Sequence, residues 1–205
     1  TQRPEWNDAN NALVGHGLSM VTLYYLRRYI CFLQNLLNTQ PESISLSLEV
    51  SRWLTETSSA LAKVQPLLGG ERIGAGQRYQ TLVELGEAAS RYRQAIYQQS
   101  AFSTSAPHSI KHISGLLNDA LVAVDHTIST NQRADGLYHS YNLLSLHSAS
   151  VEIDNLYPML EGQVSVLSSG AIAPKEAVAV LEALFDSDIY RPDQKTFMLY
   201  PDRQL

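Results

Sequence analysis

Residues 131–155 read "NQRADGLYHSYNLLSLHSASVEIDN", and this stretch decides the fold class. Apolar residues recur with a helical period on either side of it, but within it the 3.6-residue period is lost. Asp135-Gly136 is a turn signal. The segments "GLYHSYNLLSL" and "SVEID" are compatible with short strands or with an irregular excursion. The sequence leaves these two alternatives open.

Outside that stretch, apolar spacing predicts helices over about residues 11–38, 43–66, 77–101, 108–130, 157–168 and 174–186. Two breaks separate the early helices: the Gly-rich segment 67–77 and the loop 103–109, where Pro107 suits a first helical turn. Neighbouring amphipathic helices pair most simply as αα-hairpins. The predicted fold class is therefore all-α, with antiparallel helical hairpins and a short irregular or β excursion near 131–155.

The first predicted helix is apolar on most of its circumference. A helix with this pattern is buried on most sides. Cys31, the single cysteine of the chain, lies inside it. We therefore expect a buried, reduced thiol there.

The composition excludes several partners. The net charge is -5 and no basic stripe is present, which argues against nucleic acid. No apolar run reaches the roughly 20 residues that span a bilayer, and no signal peptide is visible, so we expect a cytoplasmic protein without a membrane partner. Only 17% of the residues are charged. This low fraction indicates contact with other protein, either the remainder of a longer parent protein or further copies of the chain.

Common catalytic and cofactor motifs are missing from the sequence. The glycines of segment 67–77 and Gly15-His16-Gly17 lack the spacing and the preceding strand of a nucleotide loop. Neither GxSxG nor SxxK occurs. His108 and His112, spaced i, i+4 on the predicted fourth helix, could hold zinc, but no third ligand accompanies them. We expect no cofactor and no metal.

The segment "RPEWNDANNAL", residues 3–13, is the densest cluster of polar and aromatic side chains. One interpretation is a helix cap by Asp8 or Asn10, with Trp6 as a hydrophobic staple. A cap explains one or two polar residues, but not the whole set. The other interpretation is a sugar site, because an aromatic face and bidentate polar side chains bind sugars. Its proposed binding residues are Arg3, Glu5, Trp6, Asn7 and Asn11.

The stretch "PEWNDANNALVGHG" resembles the Trp-Asn-Asp motif of the (α/α)6-barrel, six-hairpin carbohydrate-active enzymes, such as the cellobiose phosphorylase group. That resemblance implies that Asp8 is the general acid. Later segments, including "DGLYHSYNLL" and "YPMLEGQVSVLSSG", also resemble stretches of large uncharacterised bacterial proteins that carry this motif. A closed toroid of this family has twelve helices, and about six are predicted here. The resemblance therefore implies that residues 1–205 form a single helical domain that is part of a larger (α/α) toroid.

Glycosidic cleavage usually requires a second carboxyl group across the sugar ring. Glu161 in "YPMLEGQV" is the first choice, because its neighbours are apolar. Tyr138 and His139, with Tyr141, are candidate sugar contacts. We therefore expect part of a glycoside hydrolase- or phosphorylase-like domain that acts on or binds carbohydrate, inactive as an isolated chain. The alternative is a non-catalytic helical module for interaction or oligomerisation.

Overall fold

A computed structural model of the chain describes residues 17–70 and 73–201. Within these residues the helices are α1 (Met20–Leu37), α2 (Leu48–Val64), α3 (Ala75–Tyr97), α4 (Ile110–Thr130), α5 (Leu160–Ser169) and α6 (Pro174–Phe185). The strands are β1 (Gly17–Ser19), β2 (Ser43–Ser47), β3 (Ser105–Ser109), β4 (Tyr141–Leu146), β5 (Val151–Asn155), β6 (Tyr190–Arg191) and β7 (Thr196–Phe197). A short 3-10 helix, Gln65–Leu67, follows α2.

The predicted all-α class is wrong. The strands form three small antiparallel sheets, with the orders β1-β4-β5, β2-β3 and β6-β7. Helix accounts for 57% of the described residues and strand for 16%, so the fold is mixed α/β with a high helical content. The predicted excursion near 131–155 contains β4 and β5, which corresponds to the β alternative.

Three strands lie where helix or loop is predicted, and the first is β1, which falls inside the predicted helix 11–38. Residues 43–47, predicted as the start of a helix, form β2, because Ser43, Ser45 and Ser47 alternate with Ile44 and Leu46 at the two-residue period of a strand. Residues 105–109, predicted as loop and helix start, form β3 against β2. Helix α2 then begins at Leu48, after the hydroxyl of the N-cap residue Ser47 accepts a hydrogen bond from the backbone N–H of Val50.

The described residues divide into two compact units. Unit 1 contains residues 17–28, 127–147 and 151–201. Unit 2 contains residues 29–70, 73–126 and 148–150. The prediction that residues 1–205 form one domain stays a prediction.

The core of unit 1 joins its sheet to helix α5 and to the C-terminal segment. Its most deeply buried apolar side chains are Tyr24, Leu137, Met159, Val166, Val180 and Ile189. Asp135-Gly136 forms the predicted turn, with Gly136 at a φ of 82° and its N–H bonded to the carbonyl of Arg133 at 3.1 Å. A positive φ favours glycine because it has no Cβ.

Unit 2 is built around the antiparallel pair α2 and α3. The ion pairs Arg91–Glu56 and Lys63–Glu84, each 3.0 Å, connect the two helices. The earlier residue of α2 pairs with the later residue of α3, so the two helices run antiparallel. This is an αα-hairpin formed by the second and third predicted helices. The predicted apolar face of α4 contributes Ile110, Leu117 and Val124 to the buried residues of this unit.

The burial predicted for the first helix is wrong on one side. Tyr29, Phe32 and Leu36 of α1 are exposed, with Phe32 57% exposed. Cys31 is a free thiol that is half-buried rather than fully buried. No helix in the described ranges is both long and apolar enough to cross a membrane.

Candidate functional site

Two stretches that the sequence singles out, residues 135–144 and helix α5, approach each other in unit 1, and strand β1 pairs with the first of them. The chain enters the described structure at β1, directly after the segment that contains Asp8. Strand β1 pairs with β4 of the "DGLYHSYNLL" stretch, with Leu18 opposite Asn142 and Ser19 opposite Tyr141. Helix α5 carries the "LEGQV" stretch. Their hydrogen bonds define the candidate site.

The side chain of Gln163 connects helix α5 to residues 137–140. Its carbonyl oxygen accepts from the backbone N–H of Tyr138 at 2.8 Å, and its amide nitrogen donates to the backbone carbonyl of Tyr138 at 2.7 Å. The same nitrogen donates to the carbonyl of Met159 at 3.1 Å. Gln163 is fully buried, and these bonds satisfy its polar atoms. It therefore holds the main chain at Tyr138 in place.

Ser140 bonds to the first residues of α1 and to the residue that precedes α5. Its carbonyl accepts hydrogen bonds from the backbone N–H groups of Met20, at 2.9 Å, and Val21, at 3.3 Å. Its hydroxyl donates to the carbonyl of Met159 at 3.1 Å. A Cβ at Gly162 would overlap the Ser140 side chain and lie 3.0 Å from its Cα, so α5 can approach only because residue 162 has no side chain.

Tyr24 of α1 packs under the same loop. Its ring meets the ring of Tyr138 edge to face, with centroids 6.4 Å apart. Its hydroxyl donates to the carbonyl of His139 at 2.8 Å. Burial raises the pKa of Tyr24 and that of Tyr138 above the usual tyrosine range. Both phenols are therefore neutral hydrogen-bonding groups at neutral pH.

His139 is the buried titratable group of the site. Burial, followed by the charge of Arg133, lowers the pKa of His139 below 6.5, so its imidazole is neutral at neutral pH. Its Nδ1 is buried and has no hydrogen-bond partner among the described residues. An unsatisfied buried nitrogen is uncommon in folded proteins and marks a place for a water molecule or a ligand group.

A relay of asparagines extends the polar site along the sheet. The amide of Asn142 donates to Asn131 at 2.7 Å, and the amide of Asn155 donates to Asn142 at 2.8 Å. Asn131 also accepts the backbone N–H of His139 through its main-chain carbonyl at 3.1 Å. The relay connects β4 and β5 to the main chain of His139.

The predicted site residues have different outcomes. Arg3, Glu5, Trp6, Asn7, Asp8 and Asn11 lie outside the described residues. Tyr138 and His139 are both buried, which leaves little of either side chain exposed to a ligand. Glu161 is half-buried in the first turn of α5, two residues before Gln163. The predicted roles of these residues stay predictions.

The two histidines considered for zinc lie on different elements. His108 is on β3 and His112 is on α4, so the predicted single-helix arrangement is wrong. Their rings stack with centroids 4.9 Å apart, and Nδ1 of His108 is 3.0 Å from the hydroxyl of Ser51. In residues 17–70 and 73–201, no three His, Cys, Asp or Glu side chains are grouped so that they could hold a metal ion.

Sequence reasoning did not identify Ser140, Gln163 or Asn142 as members of the site. For Gln163 a signal existed, because an amide stands between Gly162 and Val164 in an apolar helix. Ser140 and Asn142 carry no such signal, since their partners are distant in sequence.

Comparison with known protein families and with curated proteins gives no match to this chain.

Proposed function

We propose that unit 1 carries a carbohydrate site, in which Asp8 is the general acid and Glu161 the second carboxyl group. Arg3, Glu5, Trp6, Asn7 and Asn11 position the sugar, and Tyr138 and His139 line the site from the other side. The proposal rests on the resemblance of Trp6-Asn7-Asp8 to the motif of the cellobiose phosphorylase group.

The observation that supports the proposal is the pairing of β1 with β4, together with the hydrogen bonds between the β4 stretch and α5. Gly17–Ser19, which follows the Trp-Asn-Asp segment, pairs with β4. The β4 stretch is in turn bound to α5 through Gln163 and Ser140. Tyr138, His139 and Glu161, for which the sequence predicts roles in the site, thus lie on segments of one hydrogen-bonded arrangement.

In this arrangement the imidazole of His139 acts as a hydrogen-bonding group and not as a cation. Its lowered pKa keeps it neutral, so it adds no positive charge beside the sugar. The proton for the leaving oxygen then comes from Asp8. Glu161, as the second carboxyl group of the site, assists the attack on the sugar carbon.

Isothermal titration calorimetry of the chain with cellobiose, maltose and glucose tests the proposal. We expect saturable binding of at least one of these sugars. Trp6→Ala and Asp8→Asn should each weaken binding about tenfold, because each removes a contact of about 1.4 kcal/mol or more. Asp188→Asn, an exposed carboxylate of unit 1, is the matched control and should bind like the unaltered chain.

Two outcomes would contradict the carbohydrate site. One is that none of the three sugars binds. The other is that Trp6→Ala, Asp8→Asn and Asp188→Asn bind with equal affinity, because the Trp-Asn-Asp segment would then contribute nothing to recognition.

A second candidate function is self-association through exposed apolar helix faces. In unit 2, Tyr29, Phe32 and Leu36 are exposed at i, i+3 and i+7 on α1. In unit 1, Val178, Leu181 and Phe185 repeat this spacing on α6, with Phe185 55% exposed. Apolar stripes of this kind mark protein–protein contacts when they are contiguous. This observation favours an interaction module that pairs with a second copy of the chain.

A further inference from the structure

Unit 2 contains a cavity of about 170 Å³ beside helices α2 and α3. Its walls include the carboxylate of Glu49, the rings of Trp53 and Tyr92, and the side chain of Arg52. None of these residues takes part in the proposed carbohydrate site, so the cavity needs its own explanation.

The two carboxylate oxygens of Glu49 have different surroundings. Oε1 accepts the backbone N–H of Ser103 at 3.2 Å and the Ser103 hydroxyl. With its nitrogen turned toward the carboxylate, the amide of Gln99 donates to the same oxygen at 3.1 Å. Oε2 is also buried, but it has no hydrogen-bond partner among the described residues. Glu49 thus anchors residues 99–103 with one oxygen and leaves the other unsatisfied.

Glu49 is an anion in this position. The hydrogen bond from the Ser103 hydroxyl, with further contributions from the backbone N–H groups of Glu49 and Ser103 and from the Ser47 hydroxyl, lowers the pKa of Glu49 to about 2. The residue is only 8% exposed. A buried ionised carboxylate with an unsatisfied oxygen is unfavourable unless a donor, and best a charged donor, completes it.

The other charged groups of the cavity do not supply that donor. Arg91 is bonded to Glu56 at 3.0 Å and to Glu87 at 3.2 Å. Arg52 is on the exposed side of α2. The carboxylate of Glu49 therefore lines the cavity without a cation paired to it, together with the rings of Trp53 and Tyr92, whose centroids are 5.8 Å apart.

We propose that this cavity binds a small ligand with one primary ammonium group, which donates to the carboxylate of Glu49 while its methylene carbons lie against Trp53 and Tyr92. An ammonium group satisfies the anion through a charge-assisted hydrogen bond, and aromatic faces attract cations. The volume of about 170 Å³ is below the roughly 300–1,000 Å³ of sites for drug-sized ligands. This size restricts the ligand to a short aliphatic amine. Arg52 in the wall disfavours a second cationic group.

Isothermal titration calorimetry with n-butylammonium chloride tests the proposal, with 1-butanol as an uncharged ligand of the same chain length. We expect saturable binding of butylammonium to the full chain. Binding of 1-butanol should be at least about tenfold weaker, because it lacks the charge-assisted bond. This comparison uses the unaltered chain and does not depend on how any variant folds.

Glu49→Gln should weaken butylammonium binding at least about tenfold, since it keeps the shape but removes the charge. Glu84→Gln removes an α3 carboxylate that is not part of the cavity wall, and should leave the affinity unchanged. Circular dichroism confirms that both variants are folded. The proposal is overturned if butylammonium shows no saturable binding, if 1-butanol binds equally well, or if a folded Glu49→Gln variant keeps full affinity. Binding of glucose in a Glu49-dependent manner instead would assign a neutral polyol site and would also overturn it.

Discussion

At the scale of single residues, the buried imidazole of His139 makes the stability of the chain depend on pH. Burial lowers its pKa in the folded state below the ordinary value of 6.5. Above pH 6.5 neither state binds the proton, and the full stability is present. As the pH falls below 6.5, the unfolded chain takes up the proton before the folded chain does, so the free energy of unfolding decreases.

Urea unfolding measured on both sides of pH 6.5 tests this pH dependence. His139→Gln should flatten the decrease in unfolding free energy toward acid. His147→Gln, which alters a half-exposed imidazole, is the control and should keep the decrease. An unchanged slope in His139→Gln would mean that another group causes the pH dependence.

The single residues of the site show how far sequence reasoning reaches. The sequence predicts roles in the site for Tyr138, His139 and Glu161, and these residues lie on segments that meet in unit 1. The carboxylate of Glu49 was not selected, because "SLEVSRW" reads as an ordinary amphipathic helix start. Its cavity depends on Ser103, fifty-four residues later in the sequence.

At the scale of elements, the packing of α5 on residues 137–140 depends on Gly162. Gly162→Ala should lower the free energy of unfolding by about 1–3 kcal/mol, the usual effect of overpacking, because the new methyl group overlaps Ser140. Gly86→Ala in α3 is the matched control. Its Cβ would have no neighbour within 4 Å, so this variant should be stabilised by about 0.4–1 kcal/mol.

Urea unfolding monitored by circular dichroism measures both glycine variants. Equal changes in stability for the two variants would contradict the close approach of α5 to Ser140. The difference between the two changes in unfolding free energy is the decisive quantity, because both substitutions add one methyl group within a helix.

The strands show which elements a local pattern can predict. Ser43–Ser47 carries the two-residue alternation of a strand, but Leu46 also fits the apolar stripe of the next helix, and the helical interpretation was wrong. Ser105–Ser109 has no such alternation and contains Pro107, which has no backbone N–H. It is a strand because β2 lies beside it, and this information is absent from the segment itself.

At the scale of the whole molecule, the exposed apolar stripes predict self-association. Phe32→Gln and Phe185→Gln should each lower the average mass measured by light scattering at high protein concentration, because each removes apolar area from a contact between copies. Tyr97→Gln, which alters an exposed aromatic outside both stripes, is the control. The association should persist at high salt, since apolar contacts are not screened as charge pairs are. A strict monomer at all concentrations would contradict this prediction.

The sequence by itself determined the helical content, the turn at Asp135-Gly136 and the low charge of the surface. These properties arise from local spacing and composition, which depend only on residues that are close together in the sequence. Only the tertiary structure decided the pairing of β2 with β3, the crossing of Gly162 over Ser140 and the cavity beside Glu49. Each of these depends on contacts between backbone or side-chain groups that are distant in the chain. A local hydrophobic period does not indicate which distant residue is the partner.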